Sequence, residues 1–168
     1  MHEFAEWLQA TPVSVTVQSI TWIIPLLQSI HILMIGVVFV SSLMITLRVL
    51  GRVRAEEPFG VVWNRFAPWM WGGLVVMALT GLTLIVGEPV REFGAVSFWL
   101  KMSLLVISLT SIYVFGRTLR PETLTSTTTE FSAGRKAAAL ATVVLWLVII
   151  FLGRAIAYDS AVWGHLHS

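Results

Sequence analysis

The chain has 168 residues, 57% of them hydrophobic and 12% charged, with a mean hydropathy of +0.84 and a formal net charge of +2. Soluble domains carry about 25% charged residues, so this composition excludes an ordinary water-covered surface, and so small a basic excess gives no argument for nucleic acid. There is no cysteine, which excludes disulfides, thiolate catalysis and iron–sulfur ligation.

The first residues, Met1-His2-Glu3-Phe4-Ala5-Glu6-Trp7, are acidic and lack the positive region of a signal peptide, so no cleavage is expected. Phe4, Trp7 and Leu8 share one helical face, with Glu3 and Glu6 elsewhere, which predicts a short interfacial helix. Thr11-Pro12 then reads as a helix start, with a capping hydroxyl before a proline at the first helical position. A transmembrane helix needs about 20 mostly apolar residues. Four segments meet that requirement, at 20–47, 68–87, 96–116 and 137–157. The first is longer than needed and contains Pro25, which predicts a tilt and a kink. The polar stretch 121–134 reads as a loop. The expected fold is an all-α, four-helix transmembrane bundle forming a single integral membrane domain over residues 1–168.

Charge predicts the orientation. Arg48, Arg52, Arg54 and Arg65 cluster between the first two spans, and Arg117, Arg120, Arg135 and Lys136 between the last two. The opposite side has Arg91, with Lys101 and Arg154 just inside the helices that end there. Basic connections stay cytoplasmic, so both termini are expected outside, in a multi-pass protein of the bacterial cytoplasmic (inner) membrane. Trp22, Trp63, Trp69, Trp71, Trp99 and Trp163 lie near predicted helix ends, as an aromatic belt requires.

Ionisable groups inside a span are costly and face the bundle interior or a partner. His31 lies well inside the first span, where Thr21, Gln28, His31, Ser42 and Thr46 fall within an arc of about 80°. A neutral imidazole offers one nitrogen lone pair to a metal while the other nitrogen donates a hydrogen bond. Gln28, one turn earlier, could accept it. The alternative is a histidine that only joins two helices. Lys101 opens the third span, with Ser108 and Ser111 on its face; it either snorkels to the interface or, once deprotonated, ligates iron. Arg154 either pairs with a carboxylate such as a porphyrin propionate or snorkels. On the second span Gly72, Gly73, Thr80, Thr83 and Gly87 share an arc of about 100°. That small face admits a flat porphyrin or a neighbouring helix. His165 and His167 near the C-terminus are an alternative pair of ligands for Cu(II) or Zn(II). Glu88 and Glu92 around Arg91 read as a local ion-pair cluster.

The run from Trp7-Leu8 and Thr11-Pro12 through Pro25 and His31 to Leu47-Arg48-Val49-Leu50-Gly51 resembles a family of small uncharacterised bacterial membrane proteins, as do Leu79-Thr80-Gly81 and Phe98-Trp99-Leu100-Lys101. The first-span histidine and the Trp-Leu-x-Lys start of a later helix are also similar to the haem-b membrane protoporphyrinogen oxidases and, more loosely, to the copper-resistance D family. The haem-b resemblance implies a four-helix bundle in which the positions matching His31 and Lys101 hold haem. One departure is Gly116, where many relatives are expected to carry a histidine; without it there is one haem and no second, inner ligand.

The reading is a membrane b-type haem protein, with His31 and Lys101 as iron ligands. Gln28, Gly73, Thr80 and Arg154 would line the haem b. It would pass electrons between a membrane carrier such as quinone and an outward-facing redox partner. A copper or other metal-handling accessory and a structural membrane subunit are the alternatives. The small-residue faces favour a homo-oligomer surrounded by lipid. The orientation is tested by single cysteines: Ser126→Cys should be labelled only from the cytoplasmic side by an impermeant maleimide, and Ser168→Cys only from outside. The reverse pattern would overturn it.

Overall fold

The computed structural model describes residues 2–119, 125, 130–159 and 163. Among these residues the chain is helical, with four helices long and apolar enough to cross a membrane. Two short helices precede them. In the first, α1 (His2–Gln9), Phe4 and Trp7 are exposed while Ala5 is buried. Helix α2 (Pro12–Ser19) starts as its sequence requires: Thr11 stays extended and its hydroxyl oxygen accepts from the Ser14 amide at 3.4 Å, with proline at the first helical position.

The first spanning helix, α3 (Ile23–Val49), begins at Ile23, so Pro25 is its third residue. A first-turn amide has no intrahelical acceptor. The proline therefore removes no helical bond, and the expected interior kink has no basis at this position. The C-terminus of α3 closes on Gly51 at φ +70, with Arg52 N–H donating to the Leu47 carbonyl at 2.9 Å and Gly51 N–H to the Arg48 carbonyl at 3.0 Å. This double bond pattern needs a left-handed residue, which glycine supplies without a Cβ clash.

Helix α4 (Phe59–Gly87) starts nine residues before the apolar segment at 68–87, and Pro68 lies in its interior. Hydropathy marks the part inside hydrocarbon and not the helix itself. Asn64 and Arg65 carry the first turns beyond it, and 29 residues rise to about 43 Å against a core of about 30 Å. A short α5 (Pro89–Gly94) leads into α6 (Val96–Arg117), and α7 (Ala133–Ala155) runs back into a 3-10 turn, Ile156–Tyr158.

Helix α3 packs on α4 and α7, and α6 on α7, while the backbones of α4 and α6 stand apart. The bundle is thus two helix pairs, α3/α4 and α6/α7, joined through α3 and α7. At the end carrying the basic connections, Phe59, Trp63, Phe115 and Phe131 stack with centroids 5.0–6.4 Å apart and fill the space between α4 and α6. There the buried Arg48 guanidinium donates to the Glu57 carbonyl at 3.1 and 2.7 Å, tying α3 to the approach to α4. At the other end, the Asp159 carboxylate accepts from the Val96 and Ser97 amides at 3.2 and 3.1 Å, satisfying two donors at the start of α6. The N-terminal helices lie at this same end, with Phe4 edge-on to Phe93 at 6.0 Å and Val17 against Gly87. Large apolar residues such as Ile32, Leu33, Val75, Leu79, Leu82, Val106 and Phe151 point outward, as lipid contact demands.

The small face of α4 is used for helix packing at Gly73. A Cβ there would stand 2.8 Å from Val38 Cγ2 and 3.7 Å from the Met34 carbonyl oxygen, so only hydrogen lets α3 approach this closely. At Gly72 nothing lies within 4 Å. Gly73→Leu should lower stability by about 1–3 kcal/mol through overpacking, read as an earlier midpoint in a denaturing-detergent titration. Gly72→Leu should be nearly silent. Equal midpoints would mean that the close α3/α4 approach is unimportant.

Candidate functional site

The spans carry two ionisable groups deep enough to matter, and the fold puts them on opposite helix pairs. His31 projects from α3 toward α4, where its Nδ1 lies 2.8 Å from Thr80 Oγ1. The Thr80 hydroxyl donates in turn to the Val76 carbonyl at 2.8 Å, with the Met77 carbonyl at 3.2 Å. That hydroxyl bridges its own helix to the imidazole, and which group donates across the 2.8 Å contact follows the ring's tautomer. In the Nδ1–H tautomer the Thr80 oxygen accepts and the Nε2 lone pair is left available. The ring packs on Gly81, where a Cβ would lie 3.4 Å from His31 Cε1, at the near edge of ordinary contact.

Lys101 rises from the second turn of α6 and lies along α7. A Cβ on Gly153 would stand 3.6 Å from its Nζ and 3.8 Å from its Cε, ordinary contact distances, so the lysine chain lies directly along this part of α7. Among the described residues no hydrogen bond or ion pair of its own holds Nζ. Glu92 and His31 are both within electrostatic reach of it. His31 with Thr80 and Gly81 on one helix pair, and Lys101 with Gly153 on the other, thus face a common region near the end that carries the termini. The donor set there is one neutral imidazole nitrogen and one amine.

The other predicted site residues are dispersed. Gln28 is exposed, and Thr80 takes the bond expected of it. Gly73 sits two turns deeper against Val38. Arg154 is exposed, with its guanidinium 5.8 Å from the Tyr158 ring centroid, a cation–π contact within its own chain end. Arg91 bridges Glu88 at 2.6 Å and Glu92 at 3.2 Å, the local cluster its spacing suggested. His165 and His167 lie outside the described residues. Sequence reasoning missed Gly81 and Gly153 as the positions that admit the two side chains. Gly81 adjoins Thr80 in the quoted Leu79-Thr80-Gly81 motif, whereas Gly153 carries no local signal.

The His31–Thr80 bond should be separable from mere shape. Thr80→Val keeps the volume but leaves Nδ1–H without its acceptor, at a cost of about 1–3 kcal/mol. Thr80→Ser should retain most of the wild-type unfolding midpoint. If Val and Ser behave alike, the hydroxyl does not hold the imidazole.

No curated protein and no solved structure matches the chain. The pattern of one family does match, over residues 4–159, so it takes in every spanning helix and both halves of the His31–Lys101 site. The chain therefore belongs to DUF6644, a family of unknown function.

Proposed function

We propose that the protein holds one b-type haem between its two helix pairs, through His31 and Lys101, and passes electrons between a lipid-soluble carrier such as quinone and a partner on the side of the termini. The observation that carries this reading is the hydrogen-bonded imidazole: Thr80 holds Nδ1 at 2.8 Å, and with the proton on Nδ1 the ring would present Nε2 as a ligand nitrogen. A ligating histidine is commonly oriented by such a bond from its other nitrogen.

The size of the donor set favours haem over a bare metal ion. Among the described residues no three His, Asp or Glu side chains converge on one point. A copper or zinc ion held by protein groups needs about three or four ligands. A porphyrin supplies four nitrogens itself and asks the protein for one or two axial ligands. His31 and Lys101 meet that smaller demand. When bound, the haem would supply one-electron redox chemistry. The chain's own work is to present Nε2 in one orientation, keep the lysine amine opposite it in an apolar setting, and exclude water with the surrounding α3 and α7 side chains. Placement in the bacterial inner membrane, with the termini outward, and assembly as a homo-oligomer belong to the same proposal.

An absorption spectrum of the purified protein tests it. Wild type should show a sharp Soret band with b-type α and β bands. His31→Ala should lose most of the colour while still inserting, because the other histidines lie at the chain ends. Lys101→Met should keep haem with shifted bands, since a thioether can replace the amine on iron. A colourless wild type after expression with added haem precursor, or a His31→Ala protein with an unaltered spectrum, would overturn the assignment.

A further inference from the structure

A second polar feature lies deeper in the bundle and is not part of the His31–Lys101 site. Ser108 Oγ on α6 and Trp146 Nε1 on α7 are both buried with no hydrogen-bond partner among the described residues. The helix register brings them to one level. Lys101 contacts the Gly153 position; seven residues along α6 is Ser108, and seven residues back along antiparallel α7 is Trp146. Two turns of each helix, about 10 Å, therefore separate this pair from Lys101.

One turn further, on the same two faces, Ser111 and Thr142 line a cavity of about 50 Å³ that Ser42 and Thr46 of α3 complete. Three of its four hydroxyl protons are already spent, those of Thr46, Ser111 and Thr142. Thr46 donates to the Ala139 carbonyl at 3.3 Å, Ser111 to Ile107 at 2.9 Å and Thr142 to Ala138 at 2.9 Å. These three oxygens thus remain only as acceptors, while Trp146 N–H, one turn above, can only donate.

We propose that this region of the core binds a small water cluster, anchored by Trp146 and Ser108 at the top and by the Thr46, Ser111 and Thr142 oxygens below. Chemistry and size select water. Water accepts from the indole and donates to the three oxygens, whereas a quinone carbonyl only accepts and would leave them unmatched. A water needs about 10–15 Å³ on this measure of cavity volume, so the cavity holds a few. A drug-sized ligand needs about 300 Å³ or more. The cavity lies toward the end of the bundle bearing the basic connections, as its lining by Val49, Phe115 and Ala138 requires. The cluster therefore brings exchangeable protons from that end to within two helical turns of Lys101. The inference stands whether or not His31 holds haem.

The test uses full-length protein in lipid nanodiscs with ¹⁵N-labelled tryptophan indoles, the Trp146 signal being identified by its loss in Trp146→Phe. On transfer to D₂O, the Trp146 indole N–H should deuterate within hours while neighbouring backbone amides of α7 stay protected. It should also show exchange cross-peaks to water. The double variant Thr46→Val, Thr142→Val removes two acceptors at constant volume and should slow deuteration at least tenfold. The same pattern in His31→Ala protein would keep the result separate from any haem. Protection of the indole for as long as the α7 amides, or unchanged exchange in the double variant, would overturn the proposal. So would an indole resonance that moves only when a short-chain quinone is added.

Discussion

Hydrocarbon offers a polar atom no hydrogen-bond partner, so each hydroxyl and imidazole in a span must find one inside the protein. Most hydroxyls here meet that demand locally. Ser29, Thr83, Ser103 and Thr110 donate to the carbonyl four residues back on their own helices and can therefore face outward. A smaller set reaches across helices. His31 bonds Thr80, Thr46 bonds the Ala139 carbonyl, and Asp159 takes the first amides of α6. These bonds decide which helix lies beside which, because apolar surface in lipid has little preference among apolar neighbours.

Close packing supplies the remaining specificity. Gly73 admits Val38, Gly81 admits the His31 ring and Gly153 admits the Lys101 chain. At Gly73 the missing Cβ brings Val38 to a distance that any larger residue would forbid, whereas at Gly81 and Gly153 the partner lies at ordinary contact distance. The two helix pairs that result differ in purpose. In α3/α4 Gly73 lets the helices draw together, whereas in α6/α7 a long side chain, Lys101, lies against Gly153. His31 on one pair and Lys101 on the other lie within electrostatic reach of each other, and this is where the proposed haem would lie. The cavity toward the basic end, where four hydroxyl residues stand among apolar side chains, belongs to the same economy of polar atoms, and Trp146 Nε1 and Ser108 Oγ have no partner among the described residues.

The candidate site was legible in part. A histidine well inside an apolar span singles itself out, since such a position is costly and needs a reason. Lys101 and the serines on its face follow from helical periodicity, and Ser108 and Ser111 do mark the interior side of α6. Periodicity names a face but not what stands opposite it. Gln28 is the right residue type one turn from His31, yet it is exposed, and the acceptor comes from Thr80 on the neighbouring helix. Gly73 shares an arc with Thr80, but Val38 occupies its side while His31 occupies that of Thr80. Small residues permit close approach by any flat or ridged object, so their spacing alone cannot name the object.

Four spans, their order, the capped start at Thr11-Pro12 and the intramembrane position of His31 are determined by the sequence by itself, because burial in hydrocarbon, capping and helical period act over a few consecutive residues. Helix extent beyond the bilayer was not: α4 runs nine residues past its apolar segment, since backbone bonding continues where hydropathy stops. Pro25 shows the same limit, for whether a proline bends a helix depends on where the helix begins. Only the tertiary structure decided that Thr80 holds the imidazole, that Lys101 lies along Gly153 and that Ser108 and Trp146 share one level. Each of these joins residues 45 or more positions apart along the chain except the last, and even that pair lies on two helices. Their meeting depends on helix rotation and register, which side-chain shape sets only once the neighbouring helix is in place.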